Sequence, residues 1–240
     1  MALSSEVFGT DRLVVRPWTH STADVDRIFD IYSQWQVARW LGATPRVMSN
    51  RDDAESAVER WSARIDDRRG LGVWAVEVRE TGVVAGTVLL VPLPMPAGTT
   101  GGADADAGDA GNAGNAGDAR NDGNAGNEGD AGNEGDADLG GDADREEEED
   151  EGGEVEVGWH LHPDSWGNGY ATEAARAALR RGFAAGLDEI LAVVRPGNEA
   201  SVAVCRRLGM TPLGRTTRWY DTELEVFRAA AAPAGAQAAP

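Results

Sequence analysis

The sequence predicts a mixed α/β domain, and three observations carry that expectation. Apolar residues alternate with period two in some stretches and recur every three to four residues in others, in the order β-α-α-β-β-β-α-β-α-β-β. A glycine-rich turn, Gly167-Asn168-Gly169, stands between one strand pattern and the helix pattern that follows it. One acidic low-complexity stretch interrupts the order without contributing to it, so ~170 residues of the chain remain to build a core of ordinary size.

Residues 12–18 (RLVVRPW) read as a first strand, stopped by Pro17. Ser21 and Thr22 offer a cap for a helix carrying Val25, Ile28, Phe29, Tyr32 and Trp35 at helical spacing. Ser49, three residues before Asp52, resembles a capping box, and Ala54, Ala57, Val58, Trp61 and Ile65 form the stripe of a second helix. Residues 73–78 and 83–91 are β-rich runs joined by Arg79-Glu80-Thr81-Gly82, a hairpin turn. After the acidic stretch, Val155, Val157, Trp159 and Leu161 alternate along a strand that ends before Pro163. The next helix carries Ala171, Ala174, Ala175, Ala178, Leu179 and Phe183 on one face. Residues 189–194 (EILAVV) form a short buried strand, Asn198 caps another helix, and Gly209 stands where a left-handed C-cap belongs. Two last strands fit residues 214–220 and 224–229.

The division is therefore 1–97 and 154–229 as two parts of one domain, 98–153 as an acidic insertion, and 230–240 as a frayed tail. Between Asp104 and Glu151 stand 18 acidic residues against two arginines, a net −16 of the chain's −19, which leaves −3 for everything else. Within 98–153 the single aliphatic residue larger than alanine is Leu139. Such a segment buries too little apolar surface to offset the entropy of ordering it, so it is expected to be disordered. It lies between two strand patterns, in place of a hairpin turn, where added length is tolerable because loop closure grows only slowly with length.

One cysteine, Cys205, excludes an intramolecular disulfide and suits a reducing, cytoplasmic setting. No secretory leader pattern opens the chain, and no window approaches 18 consecutive apolar residues, so no membrane association is expected. The acidic run would repel phosphate, which argues against a nucleic-acid partner.

The chemistry concentrates in residues 158–173, GWHLHPDSWGNGYATE. Amide groups at a helix start point outward unpaired and carry about half a positive charge, and glycines there admit a phosphate closely. Residues 167–172 thus form a phosphate or pyrophosphate cradle, although the same glycines also serve a plain strand-to-helix turn. A P-loop is excluded because the chain has no lysine, and the third position of a dinucleotide fingerprint is Thr172 where glycine is required.

The run LHPDSWGNGYATEAARA resembles the acyl-CoA-binding motif of GNAT acetyltransferases, in the form used by the RimJ/RimL branch. The superfamily pattern Q/R-x-x-G-x-G/A falls on Trp166, Gly169 and Ala171, with tryptophan in place of Gln/Arg. NEASVAVCRRLGM resembles the branch's N-x-x-S-x-x-x-x-x-K-x-G-F at Asn198, Ser201 and Gly209, with Arg207 and Met210 substituting; RLVVRPW resembles its first strand. The resemblance implies the GNAT fold: a mostly antiparallel central sheet with one splayed parallel strand pair and helices on both faces. It also implies acetyl-CoA as cosubstrate, with no metal. The pyrophosphate would sit on Gly167, Asn168, Gly169, Tyr170, Ala171 and Thr172 beside Trp166, pantetheine would pair with the backbone from Trp159 to Leu161, and Asn198 and Ser201 would face the cofactor.

Direct attack of an amine on the thioester requires a base for the ammonium proton and a donor for the departing thiolate. Glu156 matches a glutamate often found in the branch, and His160 stands nearer the thioester with a suitable ordinary pKa. A charged residue on a half-buried strand also fits a solvent face, and a strand histidine also fits a plain hydrogen-bonding role. His162 reads as a loop residue. For the donor, Cys205 occupies about the position of the family's tyrosine, at an apolar helical position that also suits simple packing; Ser201 and Tyr220 are the other candidates. Trp40 is placed to line an acceptor pocket. The implied activity is N-acetylation of a protein N-terminus or a small-molecule amine, with a homodimer as one assembly open to the chain. The alternative is a non-catalytic acyl-CoA-binding module whose acidic run recruits basic partners.

Overall fold

Alternating apolar residues dictate a sheet covered on both sides. In a computed structural model of the chain, residues 6–94 and 153–231 are described, and both stretches belong to one compact unit. The strands are β1 (Phe8–Gly9), β2 (Leu13–Pro17), β3 (Gly72–Val78), β4 (Val84–Pro92), β5 (Val155–Leu161), β6 (Glu189–Val194), β7 (Thr211–Thr216) and β8 (Leu224–Ala230). The helices are α1 (Thr22–Tyr32), α2 (Trp35–Ala38), α3 (Arg51–Ser62), α4 (Tyr170–Ala184) and α5 (Glu199–Leu208). The sheet has eight strands in the order β1-β2-β3-β4-β5-β6-β8-β7, antiparallel throughout except for the parallel pair β5/β6.

Period-two alternation distributes each central strand between two cores. On β3, Trp74, Val76 and Val78 join Ala174, Ala175, Ala178 and Leu179 of α4, while Val73 and Ala75 join Val25, Ile28 and Ile31 of α1 and Ala54, Ala57, Val58 and Trp61 of α3. The small face of α4 lets it lie flush on the sheet. A methyl group added at Gly182 would come within 2.7 Å of Ile190 and 2.9 Å of Leu90. Across β2, α1 and β3, the buried Arg16 guanidinium donates to Asp24 at 2.8 and 2.9 Å and to Glu77 at 2.8 Å, so each buried charge is paired.

The fold is the mixed α/β arrangement with one parallel pair that the sequence predicts. The differences are local. Trp35 opens the separate helix α2 and is 55% exposed, because α1 already ends at Tyr32. The cap of α3 is Asn50, not Ser49; the Asn50 side chain accepts from the Asp53 amide, and the Ser49 amide donates back to the Asp53 carboxylate. The penultimate strand is Thr211–Thr216, earlier than residues 214–220, and β8 extends to Ala230, one residue into the expected tail. The two-residue β1 has too little pattern to be read from sequence.

The acidic insertion and the tail lie outside the described residues, apart from Gly153, Ala230 and Ala231. The ends that flank the insertion are paired across β4 and β5, with Pro92 opposite Val155 and the Leu93 amide donating to the Glu154 carbonyl at 2.7 Å. Among the described residues no helix is long and apolar enough to cross a membrane.

Candidate active site

Strand β5 is held along its whole length by β4, from Val155 opposite Pro92 to Leu161 opposite Gly86. Its other neighbour, β6, touches it in register at one position, Glu156 opposite Leu191. Beyond Glu156 the two parallel strands part, and the gap opens into a cleft of about 1220 Å³. Trp159 and Leu161 line the cleft, together with Val193 and Val194 from β6. A free strand edge facing a cleft presents unpaired amide and carbonyl groups, which suits an extended, amide-containing ligand.

At the end of β5 the chain makes a short 3-10 turn, Pro163–Ser165, capped by His162, and then the glycine turn into α4. Gly167 (φ 79°) and Gly169 (φ 78°) adopt the left-handed conformation that glycine reaches without strain. Gly169 is the N-cap of α4 and no side chain caps the helix, so its first amides face the cleft beside Tyr170, Ala171 and Thr172. Unpaired amides at a helix start favour a negatively charged group. The turn is braced from within and from outside. The Asn168 side chain donates to the Ser165 and Trp166 carbonyls, and the Trp166 indole N–H donates to the Leu161 carbonyl at 2.8 Å. Arg12 donates to the Asn168 carbonyl and stacks over the Tyr170 ring, while Arg12 and Thr10 both bind Glu173 in the first turn of α4. Neither the Arg12 nor the Thr10 contact is readable from sequence, since each spans more than 150 residues.

Glu156, Gly158 and His160 share the face of β5 turned away from α4. Glu156 is 5% exposed and lines the cleft. Among the described residues its carboxylate has one hydrogen-bond partner, the Tyr220 hydroxyl, which donates to Oε1 at 2.5 Å. Burial pushes the Glu156 carboxyl up to about 7, against the opposing pull of the Tyr220 hydrogen bond and the charge of Arg64. A carboxylate so placed is a stronger base than an exposed one. His160 also lines the cleft, with Nδ1 3.1 Å from the Tyr32 hydroxyl, which donates to Thr87 Oγ1 at 2.9 Å. Burial pulls His160 down to about 4, so it is neutral at physiological pH. The Tyr32 hydroxyl thus holds the imidazole ring at Nδ1, with donor and acceptor set by the tautomer.

On the opposite wall Asn198 caps α5, its side chain accepting from the Ser201 amide at 3.2 Å, and both residues line the cleft. Cys205, one turn further along, is fully buried in the core under α5, and burial pushes its thiol up to about 12. The structure thus brings together Glu156, His160, Trp159, Leu161, Trp166, Gly167, Gly169, Tyr170, Ala171, Thr172, Asn198 and Ser201 around one cleft. Cys205 points into the core instead, and Asn168 shapes the turn from behind. Trp40 lines the cleft as well, under the guanidinium of Arg39. Among the described residues no cluster of three or more His, Cys, Asp or Glu side chains is placed to hold a metal ion.

A splayed parallel pair, an uncapped helix start at its end and a buried carboxylate between them meet in one cleft. The acetyltransferase (GNAT) domain profile matches residues 12–108 and 131–211, and the chain belongs to that family, whose members are acyltransferases. The uncharacterized N-acetyltransferase YoaA of Bacillus subtilis (strain 168) is 25% identical over 226 residues, 91% of this chain and 94% of YoaA. Another B. subtilis relative, the uncharacterized protein YkkB, is 38% identical over 74 residues, 30% of this chain but 42% of YkkB's length. Among solved structures, a GNAT-family acetyltransferase from Bacillus anthracis is similar with a TM-score of 0.55 at 16% identity, covering 92% of this chain and 95% of that one. The ribosomal L7/L12 α-N-protein acetyltransferase RimL, solved with coenzyme A, has a TM-score of 0.57 at 12% identity, covering 94% and 97%. These structural likenesses show the fold.

Proposed function

We propose that the protein is an acetyl-CoA-dependent N-acetyltransferase acting on a primary amine, either a protein N-terminus or a small molecule. The observation that carries this reading is the Glu156 carboxylate, buried at the point where β5 and β6 part and held in ionising range near neutral pH. The residues fit the cosubstrate in two ways. The uncapped start of α4 at Gly169 supplies amides for a pyrophosphate, and the open edge of β5 supplies backbone partners for pantetheine.

The acceptor nitrogen must lose a proton to be nucleophilic, and Glu156 takes it, directly or through one water. The nitrogen then forms the C–N bond as the C–S bond of the thioester breaks, and the thiolate leaves with the electron pair. Ser201 returns a proton to sulfur, a role supported by its position at the start of α5 and on the cleft. His160, neutral and on the cleft, orients the amine or its bridging water.

The test is a screen of acetyl-CoA against primary amines and N-terminal peptides, following free thiol and acceptor mass. Glu156→Gln should lower turnover by 10² to 10⁴, the usual range for a lost general base, and leave acetyl-CoA affinity unchanged. Binding of acetyl-CoA with no thiol release across the panel would defeat the enzymatic reading.

A further inference from the structure

The turn joining β7 to β8 holds an unusual backbone. Tyr220 (φ 58°) and Asp221 (φ 45°) are the only non-glycine residues with positive φ among those described. A residue with a Cβ is disfavoured there, and a tyrosine more than an asparagine or aspartate. Gly or Asn would build the same turn with less strain, so the local conformation does not explain a tyrosine. Strain of this kind persists where surrounding structure over-determines it, and it concentrates at functional sites.

The surroundings are on hand. Trp219, immediately before, is buried with Leu93, Leu191, Leu224 and Val226, and Tyr220 packs against that group. This anchor directs the Tyr220 ring into the cleft, where its hydroxyl reaches Glu156 Oε1 at 2.5 Å from 64 residues away in sequence. The left-handed turn, the tryptophan anchor and the short hydrogen bond all converge on one carboxylate.

We propose that Tyr220 is a positioning residue for the transfer: its hydroxyl holds one oxygen of Glu156, presents the other to the acceptor amine, and favours the ionised carboxylate. This rests on the reading of Glu156 as the base. The Tyr220 hydroxyl is engaged with Glu156 in this structure, which suits a role at the carboxylate. Burial and the adjacent negative charge of Glu156 raise the phenol well above its ordinary range, which keeps it a donor at every working pH. The other groups facing Glu156 are few. Arg64, just beyond α3, acts through its charge; the Arg218–Glu154 ion pair at 2.8 Å joins the residues two positions before Tyr220 and Glu156; and His160, on the same face of β5, is neutral.

The direct measurement is a pH titration of the Glu156 carboxyl in the whole protein by infrared difference spectroscopy, the signal being assigned by its loss in Glu156→Gln. Tyr220→Phe keeps the ring and removes the donor. It should raise the Glu156 midpoint by about one pH unit, the equivalent of one charge-assisted hydrogen bond. Fluorinated tyrosine at position 220 keeps the hydroxyl and makes it a stronger donor, so it should lower the midpoint. A turn that merely packs would move neither. Unchanged midpoints in both variants, with acetyl-CoA still bound, would overturn the proposal; should Tyr220→Phe not fold, the fluorinated protein alone decides. With an acceptor from the screen, the acid limb of the rate profile should follow the midpoint, giving about a tenfold loss at pH 6 that disappears on the alkaline plateau. Shifted midpoints combined with full turnover by Glu156→Gln would instead remove Glu156 as base and leave the Tyr220 contact standing.

Discussion

Glu156, the proposed base, links the stability of the fold to pH. Its folded carboxyl lies near 7, above the ordinary 4.5, because burial disfavours the anion. Between those values the folded protein keeps a proton that the unfolded chain releases, so this stabilising contribution is complete below about 4.5 and is lost as pH rises through 7. Glu156→Gln removes the titration and keeps an acceptor for Tyr220. Urea unfolding should therefore find the variant more stable than the parent at pH 8 by about 3 kcal/mol, with the difference falling below about 0.5 kcal/mol near pH 4.5. His160 has the opposite sign: its folded value lies near 4, so its contribution is present above its ordinary 6.5 and lost as pH falls through 4. The alternation of β5 puts both residues on one face in the sequence itself. Whether that face meets solvent or a cleft depends on α1, α3 and the β7–β8 turn closing over it, and no local pattern encodes those contacts.

At the scale of elements, the proposed phosphate contacts fall on the glycine turn and the start of α4. A methyl group at Gly169 would meet nothing nearer than an Arg12 nitrogen at 3.5 Å, so space is not the constraint; the φ of 78° is. Gly169→Ala should lower stability by roughly 1–2 kcal/mol and tilt the amides that receive the phosphates, weakening acetyl-CoA about tenfold. Gly186→Ala, at the far end of α4 with φ 96° and open space around it, is the control. Calorimetric binding and denaturant unfolding should show a similar stability loss there with affinity intact. The helices and central strands were legible because their apolar spacing is unambiguous. Strand β7 was misplaced because TPLGRT is exposed along almost its whole length and its one large apolar residue, Leu213, is half exposed. Its pairing with β8, not its own pattern, makes it a strand. The two-residue offset of Trp35 from α1 is likewise a matter of where the chain turns.

For the whole molecule, the paired ends of β4 and β5 predict that residues 98–152 can be replaced by a four-residue turn without loss of the fold. The Leu93 amide already meets the Glu154 carbonyl, so the shortened hairpin needs no rearrangement of its ends. Loop closure alone favours the shorter chain by about 2 kcal/mol, since each doubling of length costs about 0.6 kcal/mol. Thermal unfolding and acetyl-CoA titration of the deletion protein should give equal or higher stability and unchanged affinity; a collapse of either would show that the segment supports the domain. The sequence by itself determined the fold class, the place of the acidic interruption and the glycine turn into α4. These depend on composition, periodicity and the backbone freedom of glycine, all properties of neighbours in the chain. The tertiary structure alone decided that Glu156 faces a cleft, that Cys205 faces the core, and that Arg12 and Tyr220 reach the turn and the carboxylate. Each of those depends on segments far apart in sequence packing against one another, with burial setting the chemistry of the group between them.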